Sequence, residues 1–298
     1  VVRAIRRRVG FPWTAAPWPA ALDRPRSTSA LGVDYDTAWA RRPAARLVRL
    51  VALETLGLPA LHALARPRVV GADRLIGLEG PVVFAANHAS HLDSPLVIAG
   101  LPERFRHRTV FAAGADYFFD RPWKAHASAL FLNAIPIERT KVSRSAAELP
   151  AALLAEGWSL VIYPEGGRTP DGWSQGHRGG AAFVASRAGV PVVPVWLEGT
   201  YDILPKGASR PRPGHTSVCF GRPLVLRAGE DARRFAQRIE QALDQLADEQ
   251  SNGWWVARRR AGDGHTPSTR GPEAAPWRRA WTRPGAQSSA RDRTWPKP

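Results

Sequence analysis

The chain has 298 residues and a mass of 32.5 kDa, and 44% of its residues are hydrophobic, enough for a sizeable core and too apolar for wholesale disorder. Its net charge of +16 is unevenly spread: residues 1–45 and 251–298 hold 12 of the 16 excess charges and 8 of the 12 tryptophans. The single cysteine, Cys219, excludes a disulfide framework and any multi-cysteine metal site, and fits a reducing compartment.

There is no methionine, so Val1 reads as a non-AUG start or the edge of a longer chain. Residues 1–43 are basic, and Pro12, Pro17 and Pro19 break every apolar run. A cleavable signal peptide is not expected there, and the segment is predicted to be disordered. Residues 44–65, AARLVRLVALETLGLPALHALA, have a helical period but carry Arg46, Arg49, Glu54, His62 and Pro59. Those residues argue against a membrane span. The helix then either lies in a membrane interface or packs on the domain's own core, and periodicity alone favours the core.

Strands are predicted at 81–86, 109–113, 134–138, 159–163, 192–197 and 216–220, from short apolar runs. Pro136 places the 134–138 strand at an edge or a bend. Helices are predicted at 94–101, 122–132, 143–156, 178–188 and 231–249. The alternation implies an α/β sheet domain over 70–250, preceded by an amphipathic helical segment at 44–69. From Ser251 onward Gly, Pro, Ser, Arg and Trp dominate without periodicity, which predicts a disordered basic tail.

Two clusters follow buried strands, where ligands collect in α/β sheets. The first is Asn87-His88-Ala89-Ser90-His91-Leu92-Asp93-Ser94-Pro95. Asp93 can turn back on the His88 imidazole, fix its tautomer and stabilise it as it takes a proton. The plainer alternative is that Asp93 caps a helix with Pro95 in its first turn. A metal site is not expected, because His88, His91 and Asp93 lack a second acidic or histidine cluster. The second cluster is Tyr163-Pro164-Glu165-Gly166-Gly167-Arg168-Thr169. Its glycines allow close backbone approach, and Arg168 can grip a phosphate, although a plain turn has the same composition. Arg139 and Arg178 are further candidates, with a solvated arginine as the commoner alternative.

Taken in order, these clusters resemble the glycerolipid acyltransferase family, the lysophospholipid acyltransferases typified by 1-acylglycerol-3-phosphate acyltransferase. Asn87, His88, Ser90 and Asp93 match its N-H-x-S-x-x-D block, and Ile135-Pro136-Ile137-Glu138-Arg139 looks like its second block. Residues 163–169 are similar to F-P-E-G-T-R-S, and Val190-Pro191-Val192-Val193-Pro194-Val195 to V-P-x-x-P-V. The likeness covers about residues 70–226 and implies an α/β fold with a mixed sheet flanked by helices. It implies that His88, held by Asp93, deprotonates an acceptor hydroxyl that attacks an acyl thioester. Asn87, Ser90, Arg139, Glu165, Gly166, Gly167, Arg168 and Pro194 would bind substrate, with Pro194 on the acyl-chain side. The donor would be acyl-CoA or acyl carrier protein and the acceptor a lysophospholipid, with no cofactor and no metal. The 44–69 segment and the basic ends would then dock the protein peripherally on the cytoplasmic face of an anionic membrane.

Two departures stand out. Gly167 replaces a threonine, and the stretch 111–119 lacks the lysine that many members carry there. A glycerol-3-phosphate or other lipid acceptor is the nearest alternative. A nucleic-acid-binding protein with basic tails is the alternative from another class, although no nucleic-acid-binding motif is present and no such partner is expected.

Overall fold

The computed structural model describes residues 32–138 and 145–274, together with Arg279 and Thr282. Helix α1 (Pro43–Ala65) is followed by β1 (Pro67–Val70), β2 (Val83–Ala86), α2 (Asp93–Gly100) and β3 (Thr109–Gly114). Then come α3 (Pro122–Leu132), β4 (Ala134–Ile137), α4 (Glu148–Ala155), β5 (Ser159–Ile162) and α5 (Gly180–Ala188). Strands β6 (Val192–Glu198) and β7 (Thr216–Phe220) precede α6 (Ala232–Asn252) and α7 (Trp254–Gly262).

The strands form one mixed sheet in the order β1-β7-β6-β2-β5-β3-β4. Every neighbouring pair is parallel except β6 and β7. The central strands are apolar throughout because both faces are covered. Alternate residues serve the two faces. Phe84, Ala86, Val193 and Val195 pack with Leu96 and Val97 of α2 on one side. Val83, Ala85 and Val192 pack with Ala182 of α5 and with Phe235, Ile239 and Leu243 of α6 on the other. Burial of these side chains supplies the main driving force for folding. The pairing of Ala85 with Ile162 brings the carboxyl ends of β2 and β5 side by side. Both motif loops leave the sheet from those two ends.

Several expectations change. Strand β1 is added; it is only four residues long, PRVV, and its middle pair, Arg68 and Val69, is exposed, so no apolar run marks it. The described part of the helix predicted at 143–156 begins as a 3-10 turn at Ser145–Ala147; residues 143 and 144 lie outside the described residues. Helix α1 packs only its C-terminal end on the core, through Leu61 and Ala65 with Leu53 and Leu64 beside them; Leu47, Val48, Leu50, Val51 and Leu56 are all exposed, Leu56 at 71%. Pro59 does not break it. Leu53–Gly57 form a wider π turn in which the Leu58 amide donates to the Leu53 carbonyl, so the ring meets no α-helical ladder. Among the described residues, α1 is the one helix long and apolar enough, by length and composition, to cross a membrane.

The boundaries of both ends also move. Residues 1–31 lie outside the described residues, but the order expected from 44 starts earlier. Tyr35 packs on Phe119 at 5.6 Å between ring centroids, and its hydroxyl meets His126 Nδ1 at 3.0 Å. The tail predicted from Ser251 begins instead as α7. Asp248, on α6, accepts bonds from Arg260 at 2.6 Å and Asn252 at 2.8 Å, so charge pairing does here what apolar periodicity does elsewhere.

Candidate active site

His88 follows β2 directly, and its position depends on Asp93. The Asp93 side chain is fully buried, and its Oδ2 accepts from His88 Nδ1 at 2.7 Å, from the Ala89 amide at 2.7 Å and from the Ser90 amide at 2.8 Å. The carboxylate therefore does not cap α2 but closes the loop back on itself. With Nδ1–H committed to the carboxylate, the imidazole lone pair sits on Nε2. One face of the imidazole stacks on Tyr163, at 4.0 Å between centroids and 17° between planes. The buried Tyr163 hydroxyl meets Ser94 Oγ at 2.8 Å. Burial, with Asp93 nearby, pushes its phenol well up and keeps this platform neutral.

The second loop is fastened to the first through Glu165. Its two carboxylate oxygens accept from the His88 amide and the Gln175 amide, each at 2.8 Å. The Thr169 amide donates to the His88 carbonyl at 2.9 Å. Burial pushes the Glu165 carboxyl up to about 7, although those two amide bonds pull the other way. Gly166 has φ +70°, which favours glycine, and a Cβ there would stand 3.0 Å from Arg178 Nε, so a larger residue would also have to shift that side chain. The Arg178 amide itself donates to the Pro164 carbonyl at 2.7 Å.

Beyond His88 the rim is cationic. The Arg168 guanidinium lies 5.8 Å and the Lys124 ammonium 5.1 Å from the centroid of the same ring, Tyr117. Lys124 also pairs with Asp120 at 2.9 Å. The Tyr117 hydroxyl meets His91 Nε2 at 3.3 Å. Burial and the Arg168 charge push the His91 imidazole down to about 4, so it is neutral near pH 7. His91 thus faces the rim, and among the described residues no group of three or more His, Cys, Asp or Glu is placed to hold a metal ion.

The predicted site residues divide into four sets. His88, Asp93, Gly166, Gly167 and Arg168 meet at the ends of β2 and β5. Asn87, Ser90 and Glu165 meet there too, but in a different capacity from the one predicted: they position the loops. Asn87 is buried and exchanges two bonds with the Leu197 backbone, at 2.9 and 2.7 Å. Ser90 Oγ donates to the Leu204 carbonyl at 2.8 Å and accepts from the Leu92 amide. Pro194 lies away from the site, in β6 opposite Ala85, against Gly221. Arg139 lies outside the described residues. Lys124 was missed because it comes from α3, whose sequence reads as an ordinary helix. The only signal was that lysine is scarce in this chain, 4 against 38 arginines.

Residues 66–198 match the family model described as Acyltransferase. The chain is 31% identical over 162 residues to a 1-acyl-sn-glycerol-3-phosphate acyltransferase of Chlamydomonas reinhardtii, covering 52% of this chain and 46% of that protein. A chloroplastic 1-acyl-sn-glycerol-3-phosphate acyltransferase of Arabidopsis thaliana is 31% identical over 143 residues, 47% of this chain and 38% of that one. The chain thus spans less than half the length of these curated relatives. Among solved structures, the 1-acyl-sn-glycerophosphate acyltransferase of Thermotoga maritima superposes with a TM-score of 0.54 at 21% identity. That match covers 73% of this chain and 84% of that one, and supports the mixed sheet flanked by helices. Together the sequence matches bear out the resemblance to the glycerolipid acyltransferases.

Proposed function

We propose that this protein transfers a fatty acyl group from an acyl thioester to the hydroxyl of a lysophospholipid of the 1-acylglycerol-3-phosphate type. The observation that carries the reading is the His88–Asp93 pair, 2.7 Å apart at the end of a central strand with a cationic rim alongside. His88 Nε2 takes the acceptor's hydroxyl proton as the oxygen attacks the thioester carbonyl. The C–O bond forms, the C–S bond breaks, and the departing thiolate receives the proton back from His88. Asp93 stabilises the imidazolium in between. Arg168 and Lys124 hold the acceptor's phosphate, Lys124 standing in for the lysine missing from 111–119. The donor is acyl-CoA or acyl carrier protein.

The acceptor is a lipid, so the enzyme works at a bilayer. The exposed Leu47, Val48, Leu50, Val51 and Leu56 of α1 support an interfacial anchor, which we propose sits on the cytoplasmic side. Thiol release from acyl-CoA and acyl carrier protein, measured against a panel of lysophospholipids and glycerol-3-phosphate with mass spectrometry of the products, tests the reaction. The expected result is a new ester on a lysophospholipid and none with His88→Ala. Thiol release without any esterified lipid would refute it.

A further inference from the structure

A cleft of about 220 Å³ lies between the first half of α1 and the domain, and nothing above uses it. It reaches Thr109, the first residue of β3, and Asn133, just before β4. Strands β2, β5 and β3 are parallel, so the cleft sits at the opposite edge of the sheet from His88. Pro43, Arg46, Leu47, Leu50 and Leu53 line it from one face of α1, at the three- and four-residue spacing of a helix, with Arg49 beside them. Arg49 spans the gap: its Nη1 donates to the Ala129 carbonyl of α3 at 3.4 Å and its Nη2 to the Ala40 carbonyl at 2.6 Å. Arg106 and His107 stand on the domain side and share one carboxylate, Glu54, at 3.1 and 3.4 Å.

The charge there is not balanced. No Asp or Glu is among the described residues that line the cleft. The Arg46 guanidinium lies 5.6 Å from the centroid of the Trp158 ring, and Arg49 holds the two carbonyls; among the described residues neither arginine has a carboxylate within ion-pair distance. Burial, with the Arg46 and Arg41 charges nearby, pushes the half-buried Arg49 guanidinium down to about 10, so it stays charged near pH 7. A partly desolvated cation beside like charges is stabilised by an anion that enters next to it. The mouth, in contrast, is apolar: Leu47 and Phe131 line the cleft and are 62% and 51% exposed. Inorganic phosphate would leave that mouth in water, and a neutral lipid would leave the arginines uncompensated. The occupant that fits both is an amphiphile with an anionic head. A cleft of this size takes a phosphate and its glycerol, and the chains leave through the mouth onto the face of α1 that meets the bilayer.

We infer that this cleft binds the phosphate of an anionic phospholipid of the bilayer, between Arg46 and Arg49, with the lipid's chains running out over Leu47 and Phe131. The lipid held here is part of the membrane and not the acceptor, whose phosphate belongs to the Arg168 rim at the other edge of the sheet. The anchor thereby selects anionic membranes instead of merely entering any bilayer. The inference rests on the interfacial placing of α1 proposed above and is independent of the acyl-transfer step.

The test titrates the full chain calorimetrically with monomeric dihexanoyl phosphatidylglycerol, which needs no bilayer, and with inorganic phosphate and dihexanoyl phosphatidylcholine for comparison. The protein carries Arg168→Ala throughout, so that the catalytic rim does not contribute. The phosphatidylglycerol is expected to bind at one site, at least tenfold more tightly than either comparison probe. Arg46→Gln with Arg49→Gln should weaken it more than tenfold, and Arg46→Lys with Arg49→Lys should restore most of the loss. Should the double glutamine variant unfold in a thermal melt, Arg46→Gln alone decides, with an expected loss of at least threefold, because Arg46 makes no hydrogen bond to the fold among the described residues. Arg42→Gln, an exposed charge outside the cleft, should change the affinity less than twofold. No binding of the phosphatidylglycerol, equal binding of inorganic phosphate or of the phosphatidylcholine, or an equal loss with Arg42→Gln overturns the inference. Binding that survives in the glutamine variants overturns it too. A protein that binds the phosphatidylglycerol in this way, but whose wild-type form esterifies no lysophospholipid, keeps the lipid site and loses the acyl-transfer reading.

Discussion

Asp93→Asn tests the dyad with almost no change of side-chain shape. Asp93 Oδ2 accepts three bonds of 2.7–2.8 Å, and all three lose charge assistance in the variant. A hydrogen bond to a charged group contributes about 1.5–3 kcal/mol and a neutral one about 0.5–1.5. If the new amide keeps its oxygen toward His88, its NH₂ takes the place of Oδ1, which is buried and without a partner. Leaving that donor unsatisfied costs about 1–3 kcal/mol of stability. If it turns the other way, its NH₂ faces three donors. Either way the imidazolium loses the charge that stabilises it. Turnover should fall about 10²–10⁴-fold, which is roughly 3–5 kcal/mol on the barrier. The acceptor KM should hardly change, because Asp93 touches nothing on the Arg168 rim. Steady-state kinetics on protein checked by thermal melting reads both numbers. His88→Ala and the double variant should lose about as much as Asp93→Asn alone, since the pair acts as a unit. Turnover within a few-fold of wild type in a folded Asp93→Asn protein, or losses that multiply in the double variant, would refute the dyad.

Three further outcomes are expected. Arg168→Ala should raise the acceptor KM more than tenfold, and Lys124→Ala about threefold because Asp120 shares its charge; Lys124→Arg should rescue, and the thioester KM should stay put in initial-rate measurements. Glu165 has its folded carboxyl raised from 4.5 to about 7, so the fold binds the proton more tightly than the unfolded chain, and this group's contribution is lost as pH rises from about 4.5 to 7. His91, lowered from 6.5 to about 4, contributes in the opposite sense between those values, so the Glu165 component is read as the difference between the wild-type and Glu165→Gln melting curves; a difference that does not change with pH would contradict the shift. Replacing the exposed Leu47, Val51 and Leu56 of α1 by Asp should release the protein from both neutral and anionic vesicles at any salt in a flotation assay, and continued flotation would place the anchor elsewhere.

The local elements were legible from one sequence because each strand and helix of the central domain carries its own apolar pattern. VVFAA and SLVIY read as strands, and their buried ends in Asn87-His88 and Tyr163-Pro164 placed both motif loops. The spacing of His88 and Asp93 allowed their pairing but equally allowed Asp93 to cap the next helix, and the three bonds to Asp93 Oδ2 decide between them. Three things depended on distant chain. Strand order did, because β7 is inserted between β1 and β6 by contacts that no local period encodes. So did the duty of Glu165, whose spacing in the motif says nothing of the His88 amide it accepts from. The cationic rim is the third: Arg168, after β5, reaches Tyr117, after β3, only because those two strands pair. For α1, periodicity favoured a core helix over an interfacial one, and only the packed domain, which takes up Leu61 and Ala65 but not Leu56, left its first half in the open. Periodicity and capping are properties of neighbours along the chain, and the sequence determines them by itself. Which carboxylate meets which amide, and which apolar face goes uncovered, follows from how the packed elements share one buried volume, and that only the tertiary structure decides.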